Sequence, residues 1–289
     1  MRILLTGAAG MLAHDVRRAS ERAGHQLILV DLPELDITDE RAVFEFYERE
    51  RPEATVNCAA FTDVDGAQSK RELAHAVNAT GAGNLAAAAA RIGSPLLHIS
   101  TDYVFDGVAP MGPDGRPRGY VERDPTGPAS VYGQTKLEGE RRVLGASGEH
   151  TVVRTAWLYG VAGPNFVETM LRLAGERESV QVVDDQIGSP TWSGHLAPAL
   201  VGLLERGVRG VVHLTGGGSV SWNGFAKEIF RQAELDCRVE AISSEQIARP
   251  AKRPEFSVLE SERPDVLPMG PWQDGLAGYL AARDGMMRR

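Results

Sequence analysis

The chain has 289 residues, of which 43% are hydrophobic and 24% are charged, and its formal net charge is −8. This composition is typical of a soluble globular protein and excludes a disordered chain, and the negative charge argues against a nucleic-acid surface. No run of about 18 apolar residues occurs, so we expect no membrane-spanning helix. Two cysteines provide no disulfide framework, and the start MRILLTG is too soon interrupted for a secretory signal. We therefore expect a cytoplasmic protein.

Short apolar runs alternate with amphipathic stretches through the first 155 residues. The apolar runs predict buried parallel strands, and these are Arg2–Thr6, Gln26–Val30, Ala54–Cys58, Pro95–Ser100 and Thr151–Thr155. The amphipathic stretches predict helices over about 11–23, 39–50, 70–91 and 131–145. Strand–helix alternation indicates βαβ units. The predicted fold class is therefore α/β, with a doubly wound, Rossmann-like parallel sheet and a smaller C-terminal substrate domain.

The second half of the chain is less regular and follows a long loop over 105–130 that is rich in glycine and proline. Beyond it we predict strands near 179–183 and 211–214, and helices near 165–175, 194–206, 222–235 and 272–282. We assign residues 1–155 plus about 193–215 to a dinucleotide-binding domain. The segments at about 156–192 and 216–289 then form a substrate-binding domain.

The segment TGAAGMLA, residues 6–13, follows a predicted strand and opens a predicted helix. A phosphate-binding turn requires this context. Gly7 permits the tight turn, and Gly10 lets the backbone approach a pyrophosphate at the helix N-terminus. Asp31 ends the second strand, where an acid can bind the ribose hydroxyls of an adenosine. Together these residues predict a dinucleotide site, and a plain tight turn is the alternative.

Tyr132 and Lys136 lie four residues apart in VYGQTKL, on one face of a predicted helix. An ammonium beside a phenol favours the phenolate and lowers the tyrosine pKa, so that the phenol can pass a proton at neutral pH. Such a pair is weak evidence alone. However, the fourth strand ends at Ser100 and Thr101, where a hydroxyl can hydrogen-bond the same substrate oxygen as Tyr132.

In combination, the glycine turn, the Thr101 hydroxyl and the Tyr132/Lys136 pair resemble the extended short-chain dehydrogenase/reductases. Among these, the resemblance is to the dTDP-4-dehydrorhamnose reductases, and it covers nearly the whole chain. The segments that carry it are AAFTDVD (59–65), STDYVFDG (100–107), VYGQTKLEGE (131–140), RTAWLYG (154–160), DDQIGSPT (184–191) and KRPEFS (252–257). Two features depart from that family: Met11 stands where a polar residue is common, and the loop 107–119 is longer than usual.

This resemblance implies reduction of the C4 carbonyl of dTDP-4-dehydro-β-L-rhamnose to dTDP-β-L-rhamnose by NADH or NADPH. It implies that Tyr132 donates the proton, that Lys136 holds the nicotinamide ribose and tunes Tyr132, and that Thr101 polarises the carbonyl. The other cofactor-binding residues that it implies are Gly7, Gly10, Met11, Leu12, Asp31, Asp36, Ile37, Ala60, Phe61 and Thr62. The substrate-binding residues that it implies are Thr101, Asp102, Tyr103, Trp157 and Arg253.

Several alternatives stay open at this point. The substrate could be another dTDP-4-keto-6-deoxy sugar. The regulatory subunit of methionine adenosyltransferase also resembles this fold and motif set, although the intact catalytic residues favour an enzyme. Trp157 could be a core aromatic and Arg253 a solvated surface charge. The adjacent Asp184 and Asp185 are interpreted as turn residues, so the sequence does not support Mg²⁺ binding. We expect a dTDP-sugar as partner, no nucleic acid and no membrane, and a homodimer is an open alternative.

Overall fold

Strands and helices alternate through the first half of the chain, and the computed structural model describes residues 1–287. The elements of this half are β1 (Arg2–Thr6), α1 (Met11–Arg22), β2 (Gln26–Val30), α2 (Glu40–Glu50), β3 (Ala54–Asn57), α3 (Gly66–Ser69), α4 (Arg71–His75), α5 (Ala82–Arg91), β4 (Leu96–Thr101), α6 (Val131–Ala146) and β5 (Thr151–Thr155). Each predicted strand forms, with ends within one residue of the prediction. The helix predicted over 70–91 is divided, because a π-helical turn, Ala76–Gly81, lies between α4 and α5.

The second half contains short strands between longer helices. Its elements are β6 (Leu158–Tyr159), α7 (Phe166–Glu176), β7 (Ser179–Val183), β8 (Ile187–Gly188), β9 (Thr191–Trp192), α8 (Ser193–Glu205), β10 (Gly210–His213), β11 (Val220–Ser221), α9 (Trp222–Gln232), β12 (Arg238–Ile242) and α10 (Trp272–Met287). The Ser221 side chain accepts a hydrogen bond from the Gly224 N–H and caps α9, the helix predicted near 222–235. The helix α10 continues to Met287, five residues past its predicted end.

Six parallel strands form the central sheet in the order β10-β5-β4-β3-β1-β2. The chain leaves β1 toward β2 on one side and returns to β3 on the other, which makes the sheet doubly wound, as predicted. In such sheets the ligand crevice lies at the carboxyl ends of the strands where the order reverses, here between β1 and β3. The division of the chain into two domains stays a prediction.

Helices cover both faces of this sheet. Alternate residues of β1 point to opposite sides, so that Ile3 and Leu5 enter one apolar layer and Leu4 enters the other. Helices α1 and α8 pack on the first layer, and α2 and α5 pack on the second. A third cluster around Phe225 and Tyr279 joins α7, α9 and α10. None of the helices within residues 1–287 is both long enough and apolar enough to cross a membrane.

Candidate active site

The glycine turn at the end of β1 depends on two glycines, Gly7 and Gly10, at positions that a side chain would disturb. Gly7 has φ +66°, and a Cβ at this position would lie 2.6 Å from the Ala59 nitrogen, at the end of β3. Gly10 is the N-cap residue of α1 and, having no side chain, offers no cap of its own to the N–H groups of the first turn. Such N–H groups are natural partners for a phosphate. The turn therefore fits the pyrophosphate of a dinucleotide.

The two residues after Gly10 have different surroundings. A Cβ on Gly160 would lie 3.0 Å from the Met11 Cγ, so Met11 reaches toward the segment after β6. Leu12 is buried in the apolar layer beneath α1. Their predicted contact with the pyrophosphate is therefore made by their backbone N–H groups and not by their side chains.

Asp31 lies beside the glycine turn, as predicted. Its Oδ2 accepts a hydrogen bond from the Ala9 N–H at 2.9 Å, and its Oδ1 accepts one from the Leu32 N–H at 2.9 Å. The carboxylate therefore braces the turn, and its contact with a ribose stays a prediction. Asp36 is exposed and accepts hydrogen bonds from Thr38, whereas Ile37 is buried.

The segment after β3 is held by a residue that the sequence analysis did not identify. Asn78 accepts a hydrogen bond from the Phe61 N–H at 2.8 Å and donates to the Phe61 carbonyl at 3.1 Å. It also donates to Thr135 Oγ1 on α6 at 3.1 Å. Asn78 is buried and lies in the π-helical turn, so it fixes the predicted coenzyme residues Ala60, Phe61 and Thr62 against the catalytic helix.

Thr101, Asp102 and Tyr132 meet at the carboxyl edge of the sheet. Thr101 ends β4 and donates from its hydroxyl to Asp102 Oδ1 at 2.8 Å. Tyr132 lies in the first turn of α6, whose N-cap Ser130 accepts a hydrogen bond from the Gly133 N–H. Tyr103 packs its ring edge-on to Tyr132, with ring centroids 5.5 Å apart. The structure thus brings together the predicted proton donor and the predicted carbonyl-binding hydroxyl.

Tyr132 holds its proton more tightly than we expected. Burial raises its pKa above the ordinary value, the charge of Asp102 raises it further, and interaction with the Thr101 hydroxyl opposes both. We predicted that Lys136 lowers this pKa; burial and Asp102 dominate it in this arrangement, and the tuning of Tyr132 by Lys136 stays a prediction. The Lys136 Nζ instead donates to the Ile99 carbonyl at 2.7 Å and lies 3.2 Å from His98 Nε2, while burial lowers the pKa of Lys136 from 10.5 to about 8.

Asp102 is a buried carboxyl group beside Tyr132 and is only 2% exposed. Its Oδ1 accepts a hydrogen bond from Thr101, and the nearby Ser257 hydroxyl also favours its charged form, although Oδ2 and Ser257 Oγ make no direct hydrogen bond among residues 1–287. Burial outweighs these interactions and raises the pKa of Asp102 from 3.8 to about 6. These two buried polar atoms fit a ligand that carries hydroxyl groups.

Trp157 and Arg253, two predicted substrate residues, are both engaged with protein groups. Trp157 has φ +46° and stacks on Trp222, with ring centroids 3.6 Å apart and planes 5° apart. It therefore belongs to an aromatic cluster, and its contact with a substrate stays a prediction. Arg253 forms a bidentate ion pair with Asp65, at 2.9 and 2.8 Å. Its contact with a diphosphate stays a prediction.

The whole chain matches one family of known proteins. The family described as RmlD substrate binding domain matches residues 1–284. The chain belongs to the RmlD substrate binding domain family. This membership confirms the resemblance that the sequence segments indicated.

Members of this family and their solved structures align over nearly the full chain. A dTDP-4-dehydrorhamnose reductase of Mycobacterium tuberculosis is 44% identical over 287 residues, which cover 97% of this chain and 93% of that protein. A dTDP-4-keto-6-deoxy-D-glucose reductase of Streptomyces niveus is 42% identical over 260 residues, 89% of this chain and 88% of that protein. The crystal structure of a dTDP-4-dehydrorhamnose reductase from Bacillus anthracis in complex with NADP is 37% identical, covers 97% of this chain and 99% of that chain, and has a TM-score of 0.92.

Asp184 and Asp185 are the adjacent acidic residues that could suggest a metal ligand pair. Within the part of the chain that the structure describes, no group of three or more His, Cys, Asp and Glu side chains could hold a metal ion. Asp184 and Asp185 accept hydrogen bonds from Ser221 and Ser244, respectively. Each therefore has a structural partner, in line with their interpretation as turn residues.

Proposed function

We propose that the protein reduces the C4 carbonyl of dTDP-4-dehydro-β-L-rhamnose to dTDP-β-L-rhamnose, with NADH or NADPH as the reductant. The observation that supports this proposal most strongly is the meeting of Thr101, Asp102 and Tyr132 at the carboxyl edge of the sheet, the edge at which β1 leads into the glycine turn. It occurs in a chain that is 44% identical, over 97% of its length, to a dTDP-4-dehydrorhamnose reductase. The turn of Gly7, the carboxylate of Asp31 and the segment after β3 form the coenzyme side of this crevice.

Each catalytic residue has a role that its surroundings support. The bound coenzyme supplies the hydride. When substrate binds, the Thr101 hydroxyl turns from Asp102 Oδ1, to which it donates in this structure, to the substrate carbonyl oxygen, and Tyr132 delivers the proton to the same oxygen. The raised pKa of Tyr132 keeps the phenol protonated at neutral pH, as a proton donor requires. Asp102 Oδ2 accepts a hydrogen bond from a sugar hydroxyl and so orients the ring.

Dehydration of a nucleotide sugar is a chemically distinct activity of similar folds, and this site argues against it. Elimination needs a base that removes the proton next to a transient ketone. The residue after Asp102 is Tyr103, and burial raises the pKa of this phenol above its ordinary value. Tyr103 therefore cannot serve as that base near neutral pH.

The Streptomyces niveus relative is named for a different keto sugar, so the substrate of this protein calls for a direct comparison. The test is coenzyme oxidation with a panel of dTDP-4-keto-6-deoxy sugars. We expect the highest kcat/KM with dTDP-4-dehydro-β-L-rhamnose. Preference for another sugar would favour the alternative reductase, and coenzyme binding without oxidation would favour a non-catalytic regulatory subunit like that of methionine adenosyltransferase.

We also propose that the protein works in the cytoplasm and as a homodimer. The cytoplasmic location is supported by the substrate class, since nucleotide sugars are charged metabolites, and by the lack of a disulfide framework. The homodimer is the alternative that the sequence analysis left open. Light scattering of the purified protein tests it, with a mass twice that of the 31.2 kDa chain as the expected result.

A further inference from the structure

A chain of buried polar side chains crosses the sheet beneath the catalytic residues. Thr6 on β1 donates to Asn57 Oδ1 at 2.7 Å, and the Asn57 Nδ2 lies 2.9 Å from His98 Nδ1. On the other side of the ring, His98 Nε2 lies 3.2 Å from the Lys136 Nζ. The four residues are at most 2% exposed. Polar groups buried this deeply are constrained to satisfy one another.

The direction of these hydrogen bonds follows from a single backbone group. The Ala59 N–H can only donate, and its partner at 3.0 Å is the Asn57 side-chain oxygen. The Asn57 NH₂ group must therefore face the His98 ring. An NH₂ group only donates, so His98 Nδ1 accepts and carries no hydrogen.

The proton of the ring consequently lies on Nε2, on the side of Lys136. Burial, the largest influence on this group, lowers the pKa of His98 well below 6.5, so the ring is neutral and holds one proton whatever the charge of Lys136. An ammonium group has no lone pair and cannot accept from Nε2–H, whereas an amine can. The amine still has hydrogens with which to donate to the Ile99 carbonyl, 2.7 Å away.

The other charged and titratable groups near Lys136 do not change the preference for an amine that accepts from His98 Nε2–H. Glu140, one turn along α6, favours the charged lysine, but its carboxylate is already bound by Arg154 at 2.7 Å and by Ser100. The Cys58 thiol lies next to β3, and burial raises its pKa to about 12, so that it stays neutral. Tyr132, on the same helix, is a neutral phenol.

We propose that His98 is a positioning residue: Asn57 holds its ring in the Nε2–H tautomer, and the ring donates a hydrogen bond that favours the amine form of Lys136 over the ammonium. The charge beside the proton donor is then set by a residue on β4 that never touches the substrate. This inference rests on the proposed function only where it concerns catalysis, because the tautomer and the lysine charge can be measured without a substrate.

NMR spectroscopy of the purified protein tests the proposal directly. Ring ¹⁵N chemical shifts distinguish protonated from unprotonated nitrogens, and His98→Gln identifies the His98 signals among seven histidines. Labelling at lysine Cε gives four signals to assign, from Lys70, Lys136, Lys227 and Lys252. We expect an Nε2–H ring and a Lys136 pKa well below 10.5. An Nδ1–H ring, or a lysine that titrates at its ordinary value, would overturn the proposal.

Asn57→Asp is the decisive variant, because a carboxylate of the same shape accepts from Thr6, from Ala59 and from a ring Nδ1–H. The tautomer should invert, and the Lys136 pKa should rise toward 10.5. The pH profile of kcat/KM should shift in the same direction. Thr6→Val is the matched control, since the Ala59 N–H still orients Asn57, and it should leave the tautomer and the lysine pKa unchanged. If the Lys136 pKa shifts equally in both variants, the hydrogen-bonded side chains only support the fold, and the proposal is wrong. If the protein reduces none of the sugars tested, the NMR results still decide the proposal.

Discussion

At the residue scale, Tyr132 and Asp102 are adjacent in the pocket, and burial raises the pKa of both. The positions of Thr101, Tyr132 and Lys136 could be predicted, because each follows from a strand end or a four-residue helical spacing. Their protonation could not be predicted, because it depends on desolvation by residues far apart in the chain. Asn57 and His98 offered a usable signal, since each is a polar residue within a strand that the sequence predicts to be buried.

Replacing the proton donor should separate catalysis from binding. Tyr132→Phe removes only the hydroxyl, so we expect kcat to fall by about 10²–10⁴-fold. Coenzyme binding, measured by NADH fluorescence, should change little. Tyr120→Phe is the control, because Tyr120 donates to Asp106 and Val108 away from this pocket. A Tyr132→Phe rate above a tenth of the wild-type rate means that another group donates the proton.

Asp102 should destabilise the fold at neutral pH. Its pKa rises from 3.8 to about 6 on folding, so the unfolded chain releases this proton more readily and stability falls as the pH rises from about 4 to 6. Asp102→Asn should therefore raise the free energy of unfolding at pH 7.5 by about 1–3 kcal/mol, and by less at pH 5. Denaturant unfolding at both pH values measures this gain.

A carboxylate with the opposite shift provides the control for that experiment. The hydrogen bond from Tyr120 lowers the pKa of Asp106, so Asp106 contributes stability at neutral pH. Asp106→Asn should therefore destabilise the fold where Asp102→Asn stabilises it. Changes of the same sign for the two variants at pH 7.5 would contradict the raised pKa of Asp102.

At the scale of elements, the long helices and the sheet strands could be predicted from their hydrophobic periodicity. The π-helical turn that interrupts the predicted helix over 70–91 could not. The π-helical turn between α4 and α5 places Asn78 against Phe61 and Thr135, which are distant in sequence. A local pattern cannot reveal such a contact. The glycine turn is different, because the spacing of Gly7 and Gly10 after β1 specifies it locally.

The glycine turn can be tested with two alanine substitutions. Gly7 and Gly93 both have a positive φ, +66° and +71°, so alanine at either position costs about 1–2 kcal/mol in backbone strain. A Cβ on Gly93 meets nothing within 4 Å in residues 1–287, whereas one on Gly7 lies 2.6 Å from the Ala59 backbone. Gly7→Ala should therefore cost more stability and weaken NADH binding at least tenfold. Equal effects of the two substitutions on NADH binding would exclude a coenzyme role for the turn.

At the scale of the whole molecule, residues from distant parts of the chain close the crevice. Asp65 follows β3, and Arg253 lies in the segment before α10, yet the two form an ion pair. The sequence indicated that the second half returns to the sheet through β10, because that strand is apolar. It could not reveal the two-residue strands β6, β8, β9 and β11, since such short segments have no period of their own.

Arg253 has two candidate roles, and kinetics can separate them. If its guanidinium leaves Asp65 for the substrate diphosphate, Arg253→Met should raise the substrate KM about 10–100-fold. Arg249→Met should have a small effect, since Arg249 is half exposed and 3.4 Å from Asp65. Asp65→Asn leaves Arg253 in place and should keep KM near wild type. If Asp65→Asn and Arg253→Met raise the substrate KM equally, Arg253 acts only through its ion pair with Asp65 and does not bind the diphosphate.

The central claim is that this crevice transfers a hydride to C4 of a dTDP-keto sugar. Incubation of the purified protein with dTDP-4-dehydro-β-L-rhamnose and NADH deuterated at nicotinamide C4, each stereoisomer in turn, tests it most directly. We predict dTDP-β-L-rhamnose that carries deuterium at C4 from one of the two stereoisomers, with one coenzyme oxidised per product. Product without deuterium from either stereoisomer, or no oxidation of coenzyme, would contradict the claim.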